Sequence, residues 1–134
     1  MWTYKDELFT SEMIGDNVGF VYLLHNIATN KYYVGKKLFT SSKTFQKNNK
    51  KKRRRVESDW ETYHGSNDLL KEDVKSGNVL VKTILHLCPS RGWLTYMETK
   101  EIIEREALMS EDYYNQFLGC KIHAKHLKGK QYVR

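Results

Sequence analysis

The sequence has little proline or cysteine and no long apolar run. One residue of 134 is proline and two are cysteine. So little proline, with only scattered glycine, argues against a long disordered segment. Cys88 and Cys120 have no metal-binding or redox spacing, so we expect two reduced structural thiols and no disulfide framework. No stretch approaches the roughly 18 uninterrupted apolar residues of a membrane-spanning helix, so no membrane partner is expected.

A secretory signal peptide is not expected either. Residues 1–7 contain acidic side chains and lack the apolar h-region of such a peptide, which predicts a cytoplasmic protein. A chain of this length has room for one domain with one core. The apolar share of 40% is enough for a globular fold.

The positive charge is concentrated in one short run. The net charge is +7, and residues 47–55 (KNNKKKRRR) contain seven basic side chains, so the rest of the chain sums to 7 − 7 = 0. Because like charges repel, we expect residues 40–56 to form a mobile loop that can bind a polyanion. A solvated linker and a nuclear-import patch are the alternatives that the run alone leaves open.

A β-hairpin is predicted before the basic run. Residues 19–26 (GFVYLLHN) are rich in β-branched and aromatic side chains and are apolar on both faces, as in a central strand. Residues 27–30 supply a turn, and residues 31–37 (KYYVGKK) form a second strand. The two strands would pair in antiparallel fashion.

The register of this hairpin decides whether its two central tyrosines meet. With the turn centred on residues 28 and 29, Tyr22 lies opposite Gly35 and Tyr33 lies opposite Leu24. Residues of the same parity share a face of the sheet, so the two phenols become diagonal neighbours, whereas a shift in register would separate them. Gly35 would leave space above the Tyr22 ring for a ligand or another backbone. Ordinary strand preference is the alternative explanation for either tyrosine.

The remaining elements are predicted from caps, breakers and periodicity. Ser58 and Glu61 have capping-box spacing and are expected to open a helix after the basic loop. A second helical segment is capped by Ser66 or Asn67 and runs to Lys75, where Gly77 ends it. A strand follows over residues 78–87 and a long helix over residues 94–109. A short N-terminal helix is suggested by the spacing of Trp2, Tyr4, Leu8, Phe9 and Met13.

At this point the sequence resembles a known family. Val21-Tyr22, ten intervening residues and then Tyr33-Val34-Gly35 are similar to the two-part signature of the GIY-YIG nucleases. The resemblance covers residues 19–115. Within it, the matches to the Seg-like phage branch are Val56 to Trp60, Tyr63, Gly65-Ser66, Tyr96 to Glu98, and Tyr113 to Asn115.

The resemblance implies an α+β fold, with a small three-stranded antiparallel sheet flanked by helices. The nuclease domain would span residues 18–118, after a short N-terminal appendage over residues 1–17 and before a polar, basic tail over residues 119–134. The implied activity is metal-dependent hydrolysis of phosphodiester bonds in double-stranded DNA, in the cytoplasm of a bacterium or a phage-infected host cell. Only a short tail follows the matched region, so specificity would come from the domain itself, a homodimer or a separate partner.

The resemblance also implies roles for individual residues. Tyr22 matches the first motif tyrosine and Tyr33 the second. Glu98 matches the ligand of one divalent cation, Mg²⁺ or Mn²⁺, and Asn115 matches a late Tyr-Asn element. A helical arginine of many relatives has no clear match, which leaves Arg55 as the candidate substitute.

General chemistry adds expectations for the cations and the carboxylate. A free phenol has a pKa of about 10, and a nearby Lys36, Lys37 or arginine would lower it by favouring the phenolate. Lys37 is preferred, because it lies two residues beyond Gly35 and therefore returns to the face of Tyr22. The same cations would stabilise the charge that builds on the phosphate.

A single carboxylate can suffice for the metal, because Mg²⁺ takes oxygen ligands and keeps several waters. Glu101 has an i,i+4 partner in Arg105, whereas Glu98 has none, so Glu98 is the predicted ligand and Glu104 the fallback. The resemblance also implies a polar side chain on the first predicted helix that contacts the nucleophile. Tyr63 and His64 are both candidates, and Tyr63 fits the pattern of the Seg-like branch better.

The expected DNA contacts extend along the basic loop. Two other functions remain open from the sequence: a DNA-binding module that keeps the fold but has lost cleavage, and a basic RNA-binding protein. The residues expected to contact DNA are Lys36, Lys47, Lys50, Lys51, Lys52, Arg53, Arg54, Arg55 and Ser66.

Overall fold

The structure, a computed structural model, describes residues 1–129 and 131–133. None of the described helices is long and apolar enough to cross a membrane. Two short 3-10 helices at Ser11–Met13 and Ala124–His126 accompany the main elements, which are β1 (Trp2–Tyr4), β2 (Glu7–Leu8), β3 (Gly19–Asn26), β4 (Lys31–Leu38), β5 (Thr40–Lys47), β6 (Lys50–Glu57), α1 (Asp68–Lys75), β7 (Leu80–Cys88) and α2 (Arg91–Glu104).

The main sheet is larger than predicted. It has five strands in the order β2-β1-β7-β3-β4, and β1 runs parallel to β7 while the other pairs are antiparallel. The three expected strands, β3, β4 and β7, are present, and the α+β class is confirmed. The expectation of a three-stranded, purely antiparallel sheet is wrong, because two N-terminal strands extend it beyond β7.

The predicted N-terminal helix is wrong for the same reason. The Trp2 indole is buried and donates a hydrogen bond from Nε1 to the Trp60 carbonyl oxygen at 2.7 Å. Positive φ angles of 50° at Lys5 and 66° at Asp6 then turn the chain back into β2. Instead of forming a helix, this segment pairs with β7 as a strand and is held by the buried Trp2 side chain.

The basic run is not a loop. β5 and β6 pair along their whole length as a separate two-stranded sheet, from Thr40 opposite Glu57 to Lys47 opposite Lys50. Asn48 and Asn49 connect them with φ angles of 53° and 61°. Two consecutive residues with positive φ make the tight turn whose twist matches a hairpin, and asparagine tolerates this conformation. The expectation of a mobile loop over residues 40–56 is therefore wrong; this hairpin is called the ribbon below.

The helix predicted at Ser58 is also absent. Ser58 donates a hydrogen bond from Oγ to the Leu38 carbonyl oxygen at 2.7 Å, so its side chain ties the end of β6 to β4 instead of capping a helix. The helical segment begins only at α1, where Asn67 Oδ1 accepts a bond from the Leu70 amide at 3.1 Å. Of the two predicted caps, Asn67 is the one used. Gly77 follows α1 with a φ of 92°, which confirms its predicted position.

The last helix is displaced toward the N-terminus. Residues 91–104 form α2, whereas residues 94–109 were predicted. Ser90 caps the helix by accepting a bond from the Trp93 amide at 3.2 Å, and Glu106 leaves the helical conformation with a φ of 52°. Both boundaries are set by these local contacts, which the apolar composition of residues 94–109 does not encode.

Each face of the main sheet has its own core. Aromatic side chains fill one face, beneath the turn that follows β6, and α2 packs on the other. Both cysteines are free; Cys88 is buried beside α2, and burial raises the pKa of its thiol to about 12. The aromatic core includes Trp2, Phe9, Phe20, Tyr22, Phe39 and Trp60, and the second core includes Val21, Val34, Cys88, Leu94, Met97 and Ile102.

Candidate active site

The register of the central hairpin brings the two motif tyrosines together. Tyr22 lies opposite Gly35 and Tyr33 lies opposite Leu24, as predicted, and the two tyrosine ring centroids are 6.3 Å apart. The space left by Gly35 is filled by Tyr22 itself, since a Cβ at Gly35 would lie 2.5 Å from Cζ of Tyr22 and nearer still to its hydroxyl oxygen. The Tyr22 side chain therefore crosses β4 at the glycine and carries its hydroxyl toward the edge of the sheet.

A pocket of about 300 Å³ receives this hydroxyl at the edge of β4. It is lined from three directions: by β3 and β4, by the segment that precedes α1, and by α2 with the chain that follows it. Seven of the predicted site residues line it together, namely Tyr22, Tyr33, Lys36, Tyr63, Ser66, Glu98 and Asn115.

Tyr63 stands over Tyr22 on the segment between β6 and α1. The two rings meet edge to face with centroids 6.1 Å apart. Gly65, with a φ of 89°, turns the chain within this segment so that Tyr63 and Ser66 both reach the pocket. His64 does not line the pocket, and its buried Nδ1 has no hydrogen-bond partner in the described part of the chain.

Two tyrosines of the pocket, Tyr22 and Tyr33, are held in the neutral form. Burial raises the pKa of Tyr22 well above its ordinary value of 10.0, and the nearby Tyr63 and Tyr33 raise it further. Burial also raises the pKa of Tyr33, against a hydrogen bond from Ser66 that lowers it. The expectation that lysines would lower these pKa values is wrong, because burial raises the pKa of both tyrosines.

Lys37 lies on the face of Tyr22, as its spacing predicted, but its charge is already engaged. Its Nζ lies 2.6 Å from Asp59 Oδ1 and 4.0 Å from the centroid of the Tyr63 ring. The hydrogen bond from Lys37 lowers the pKa of Asp59, which is itself largely exposed. Lys37 therefore sits beside the pocket, on the outer side of Tyr63.

Glu98 is the carboxylate that α2 presents to the pocket. Its side chain is 18% exposed, and Oε1 lies 4.0 Å from Nζ of Lys36, which also donates to Thr95 Oγ1 at 2.9 Å. Burial raises the pKa of Glu98 above its ordinary value, and the positive charge of Lys36 opposes this rise.

The other carboxylates of α2 have different partners. Glu101 Oε1 lies 2.7 Å from Nε2 of His86, and Glu101 Oε2 accepts from Arg105 at 2.8 Å. The His86 contact, more than any other, lowers the pKa of Glu101 to about 2. Glu104 pairs with Lys100 at 3.7 Å on the exposed side of the helix. Neither Glu101 nor Glu104 lines the pocket.

The donors in the pocket suit a hard cation. Within residues 1–129 and 131–133, no group of three or more acidic, histidine or cysteine side chains converges on one point. A carboxylate with neighbouring hydroxyls offers oxygen ligands only, which is the chemistry that Mg²⁺ and Mn²⁺ prefer. Glu98 is the residue that would hold such an ion, with water completing its coordination.

Asn115 contacts the backbone of β4. Its Oδ1 accepts from the Val34 amide at 3.0 Å and its Nδ2 donates to the Val34 carbonyl oxygen at 2.9 Å. One residue earlier, the Tyr114 amide donates to the Tyr32 carbonyl oxygen at 2.8 Å, and the Tyr32 amide donates to Asp112 at 2.7 Å. Residues 112–115 thus cover the edge of β4, and the Asn115 amide group uses one donor and one acceptor on the strand that carries Tyr33.

Arg55 is not brought to the pocket. It lies at the base of the ribbon, where Nη2 donates to the Thr40 carbonyl oxygen at 2.8 Å and to Thr40 Oγ1 at 2.7 Å. The other basic residues expected to contact DNA, Lys47 and Lys50 to Arg54, lie farther out on the ribbon. The structure therefore separates the expected DNA contacts into a pocket group and a ribbon group.

A second groove, of about 420 Å³, joins the pocket to the base of the ribbon. Lys36 lines both cavities, and Lys37 and Arg91 add two further cations to the groove. The sequence analysis does not identify Arg91 as a site residue, because it predicts that the last helix starts at residue 94. A basic residue directly after a Pro-Ser cap was the available signal. The polar side chains of this groove are Thr40, Ser41, Ser58 and Thr95.

The chain after Asn115 was also missed as part of the site. Residues 116–119 form the outer wall of the pocket, and Phe117 is 83% exposed there. They were assigned to the end of the domain and the polar tail, and no periodicity in the sequence distinguishes them from it.

A known family matches most of the chain. The model of the family described as "Putative endonuclease segE, GIY-YIG domain" matches residues 2–118. No curated protein and no solved structure matches the chain significantly. The match includes the N-terminal strands and the seven predicted site residues that line the pocket.

Proposed function

The chain belongs to the GIY-YIG endonuclease family, in its Seg-like phage branch, and from this premise we propose that it is a divalent-metal-dependent endonuclease that cuts double-stranded DNA at the pocket of Tyr22 and Glu98. One observation carries the proposal. Three tyrosines and one carboxylate, drawn from β3, β4, the segment before α1 and α2, line a single pocket. A core built for stability alone has no need of this convergence at a sheet edge.

The reaction is hydrolysis of one phosphodiester. A bond forms between the phosphorus and a water oxygen as a bridging phosphorus–oxygen bond breaks. The attacking water loses one proton to solvent and the leaving oxygen takes one up, so the products are a phosphate monoester and a free hydroxyl. A bound Mg²⁺ or Mn²⁺ would polarise the phosphate and steady the leaving oxygen. Glu98 would hold this ion, and its carboxylate must be ionised to do so.

Tyr22 acts in this proposal as a neutral hydroxyl. Its raised pKa leaves no phenolate at neutral pH, so it orients the attacking water by hydrogen bonding instead of removing a proton outright. Tyr63 and Tyr33 each pack against its ring and would restrict where that water can sit. Gly35 supports the same role, because it lets the hydroxyl pass the edge strand.

Lys36, Lys37 and Arg91 would bind the negatively charged phosphates of DNA. Lys36 lies within 4.0 Å of Glu98 and lines both cavities, so it is placed for the scissile phosphate itself. Lys37 and Arg91 line the groove but not the pocket, and they suit flanking phosphates. Positively charged donors fixed next to the reacting phosphate stabilise the extra negative charge of its transition state.

A second candidate is a DNA-binding module that keeps the fold without cleavage. The placement of Arg55 favours it, since this residue lies on the ribbon and no arginine lines the pocket within the described part of the chain. A fold that binds DNA through its cations but lacks an arginine beside the scissile phosphate would hold its substrate without turnover.

Incubation with supercoiled plasmid separates the two candidates. The nuclease proposal expects nicked or linear product with Mg²⁺ or Mn²⁺ and none with EDTA, and expects Glu98→Gln to remove the activity. Glu104→Gln is the matched control, because Glu104 is exposed, sits on the same helix and does not line the pocket. Binding of the plasmid without product under either metal would instead support the second candidate.

A further inference from the structure

The ribbon stands apart from the rest of the fold. It is a two-stranded sheet of its own, and its side chains are exposed on both faces except for the half-buried Thr40, Phe45 and Val56. Eight residues per strand, at roughly 3.4 Å each, give a projection of about 27 Å. A hairpin exposed on both faces buries too little apolar surface for a purely structural role.

The ribbon also holds the charge excess of the chain. Residues 40–57 contain eight basic side chains and one acidic side chain, a balance of +7 that equals the net charge of the whole protein. None of these eight cations takes part in an ion pair with the described residues. Arg55 is fixed on Thr40, and the Arg54 guanidinium carbon lies 5.3 Å from the centroid of the Phe45 ring. The remaining six cations are therefore available to bind a polyanion from outside the chain.

The two faces of the ribbon differ in chemistry. Residues directly opposite each other share a face, and faces alternate along each strand. One face, called the phosphate face here, carries Lys43, Lys47, Lys50, Lys52 and Arg54 around Phe45. The other, called the polar face, carries Ser42, Thr44 and Gln46 along β5 opposite Arg55, Arg53 and Lys51 along β6.

We propose that the ribbon enters the major groove of duplex DNA and that its polar face reads base edges. This inference rests on the proposed function for the identity of the duplex, and it adds the element that sets sequence preference. The major groove of B-DNA is about 12 Å wide and 8.5 Å deep and admits a two-stranded ribbon. The major groove of A-form RNA is too deep and narrow for side chains to read, so duplex RNA is a poor fit.

The polar face has the groups that base edges require. Hydroxyl and amide side chains both donate and accept hydrogen bonds, and arginine reads guanine O6 and N7 in the major groove. The phosphate face is nearly all cations, which bind the backbone without regard to sequence. The two roles are thus divided between opposite sides of one hairpin.

The base of the ribbon directs the duplex toward the pocket. Thr40 and Ser41 line the groove that also contains Lys37 and Arg91, and Lys36 connects that groove to the pocket of Glu98. A duplex held by the ribbon can therefore continue along cationic side chains to the site of cleavage. Ser58 stabilises this junction, since it bonds Leu38 through Oγ and Phe39 through its amide at 2.8 Å.

Binding in EDTA tests the groove without any cleavage. A labelled 30-base-pair DNA duplex is titrated by fluorescence anisotropy in the presence of methyl green, which occupies the major groove, or netropsin, which occupies the minor groove. We expect methyl green to weaken binding at least about tenfold and netropsin to leave it within about threefold, with duplex RNA of the same sequence binding more weakly. Displacement by netropsin alone, or equal binding of the RNA duplex, would overturn the inference.

A pair of matched variants tests the division between faces. Ser42→Ala/Thr44→Val/Gln46→Met keeps all charges and strand-compatible side chains, and Lys43→Gln/Lys52→Gln removes two cations from the phosphate face. Both are read out by sequencing the DNA retained from a random duplex library. The triple variant should flatten the base preference at least about tenfold while its salt dependence stays unchanged, and the double variant should weaken all sequences alike.

An unchanged preference in the triple variant with Lys51→Gln and Arg53→Gln added would show that the polar face reads nothing, whatever the enzyme cleaves. The nuclease proposal fails on a different result, namely binding without cleavage under Mg²⁺ and Mn²⁺. A circular dichroism melt of each variant confirms that the fold is intact before either comparison is made.

Discussion

The hydroxyl of Tyr22 passes over β4 at the position of Gly35, where any side chain would collide with the tyrosine ring. Tyr22 lies on an interior strand and would otherwise remain enclosed in the aromatic core. The glycine on the neighbouring strand gives it access to the pocket. The two halves of the motif are therefore one structural unit, in which Gly35 determines what Tyr22 can reach.

Gly35→Ala should displace Tyr22 and reduce both stability and cleavage. The added methyl group overpacks a closed contact, which costs about 1 to 3 kcal/mol in the free energy of unfolding. The Gly35→Ala/Tyr22→Leu double variant relieves the collision, so its loss of stability should be smaller than the sum of the two single losses. Urea melts of the three variants measure this coupling, and strict additivity would show that the two residues do not collide.

Removing single hydroxyls separates catalysis from packing. Tyr22→Phe should lower the single-turnover cleavage rate by about 10² to 10⁴ while the melting temperature changes little, because only the group that orients water is lost. Tyr33→Phe should have a smaller effect. Tyr32→Phe is the matched control, since Tyr32 lies next in sequence, stacks on His25 and does not line the pocket. Full activity in both pocket variants would leave these tyrosines as packing residues.

Glu98 sets an acid limit on activity. Its carboxyl must be ionised to hold a cation, and burial raises its pKa above the ordinary 4.5, so kcat/KM should fall with decreasing pH before an exposed glutamate would protonate. Lys36 lowers this pKa, and Lys36→Met should therefore shift the acid limit to higher pH. Lys100→Met is the control, because Lys100 pairs with Glu104 on the exposed side of α2. A shift to lower pH in Lys36→Met would contradict the assignment.

The same carboxyl predicts that stability falls as pH rises, whereas activity falls as pH decreases. A raised pKa means that the folded state holds the proton more tightly than the unfolded state does. The free energy of unfolding contributed by Glu98 is therefore present at low pH and is lost as pH rises from 4.5 through the folded value. Urea melts of wild type and Glu98→Gln across this range should converge at low pH and diverge above it, and parallel curves would argue that the carboxyl is not buried in solution.

DNA binding should depend steeply on salt through the ribbon. The five cations of the phosphate face, each contacting one phosphate, give a log–log slope of up to about −4.5, at about −0.9 for each contact. Neutralising residues 50–55 should remove most of that slope, whereas Lys121→Gln/Lys125→Gln in the C-terminal segment should change it little. Titrations between low and moderate salt measure the slope, and an unchanged value in the ribbon variant would place the electrostatic contacts elsewhere.

The hairpin of Tyr22 and Tyr33 could be predicted because its determinants are local. The turn at residues 27–30 and the strand alternation fix the register, and the register fixes which side chains meet. Trp2 could not be placed in this way, since its hydrogen-bond partner Trp60 is 58 residues away and only the folded chain brings them together. The N-terminal spacing fitted a helix equally well, and tertiary pairing with β7 decided the outcome.

The ribbon and the start of α2 were hidden for different reasons. Charge repulsion along residues 47–55 suggested a loop, but neighbouring side chains of a strand point to opposite faces, and Asn48-Asn49 supplies a turn that the charges concealed. Arg91 was lost through an error of three residues in a helix boundary. In the pocket, sequence could nominate Glu98 over Glu101 by the missing i,i+4 partner, but the direction of the tyrosine pKa shifts depends on burial, which a sequence does not display.

The contact between Asn115 and Val34 has a consequence for the behaviour of the protein in solution. β4 is an outermost strand, and an uncovered strand of this kind offers free amides and carbonyls to a second molecule. Residues 112–115 occupy those groups at Tyr32 and Val34, so the segment that borders the pocket also hinders strand-to-strand association along this half of β4. Loss of the Asn115 side chain would uncover the Val34 amide and carbonyl groups, and we expect such a variant to aggregate more readily than the wild type.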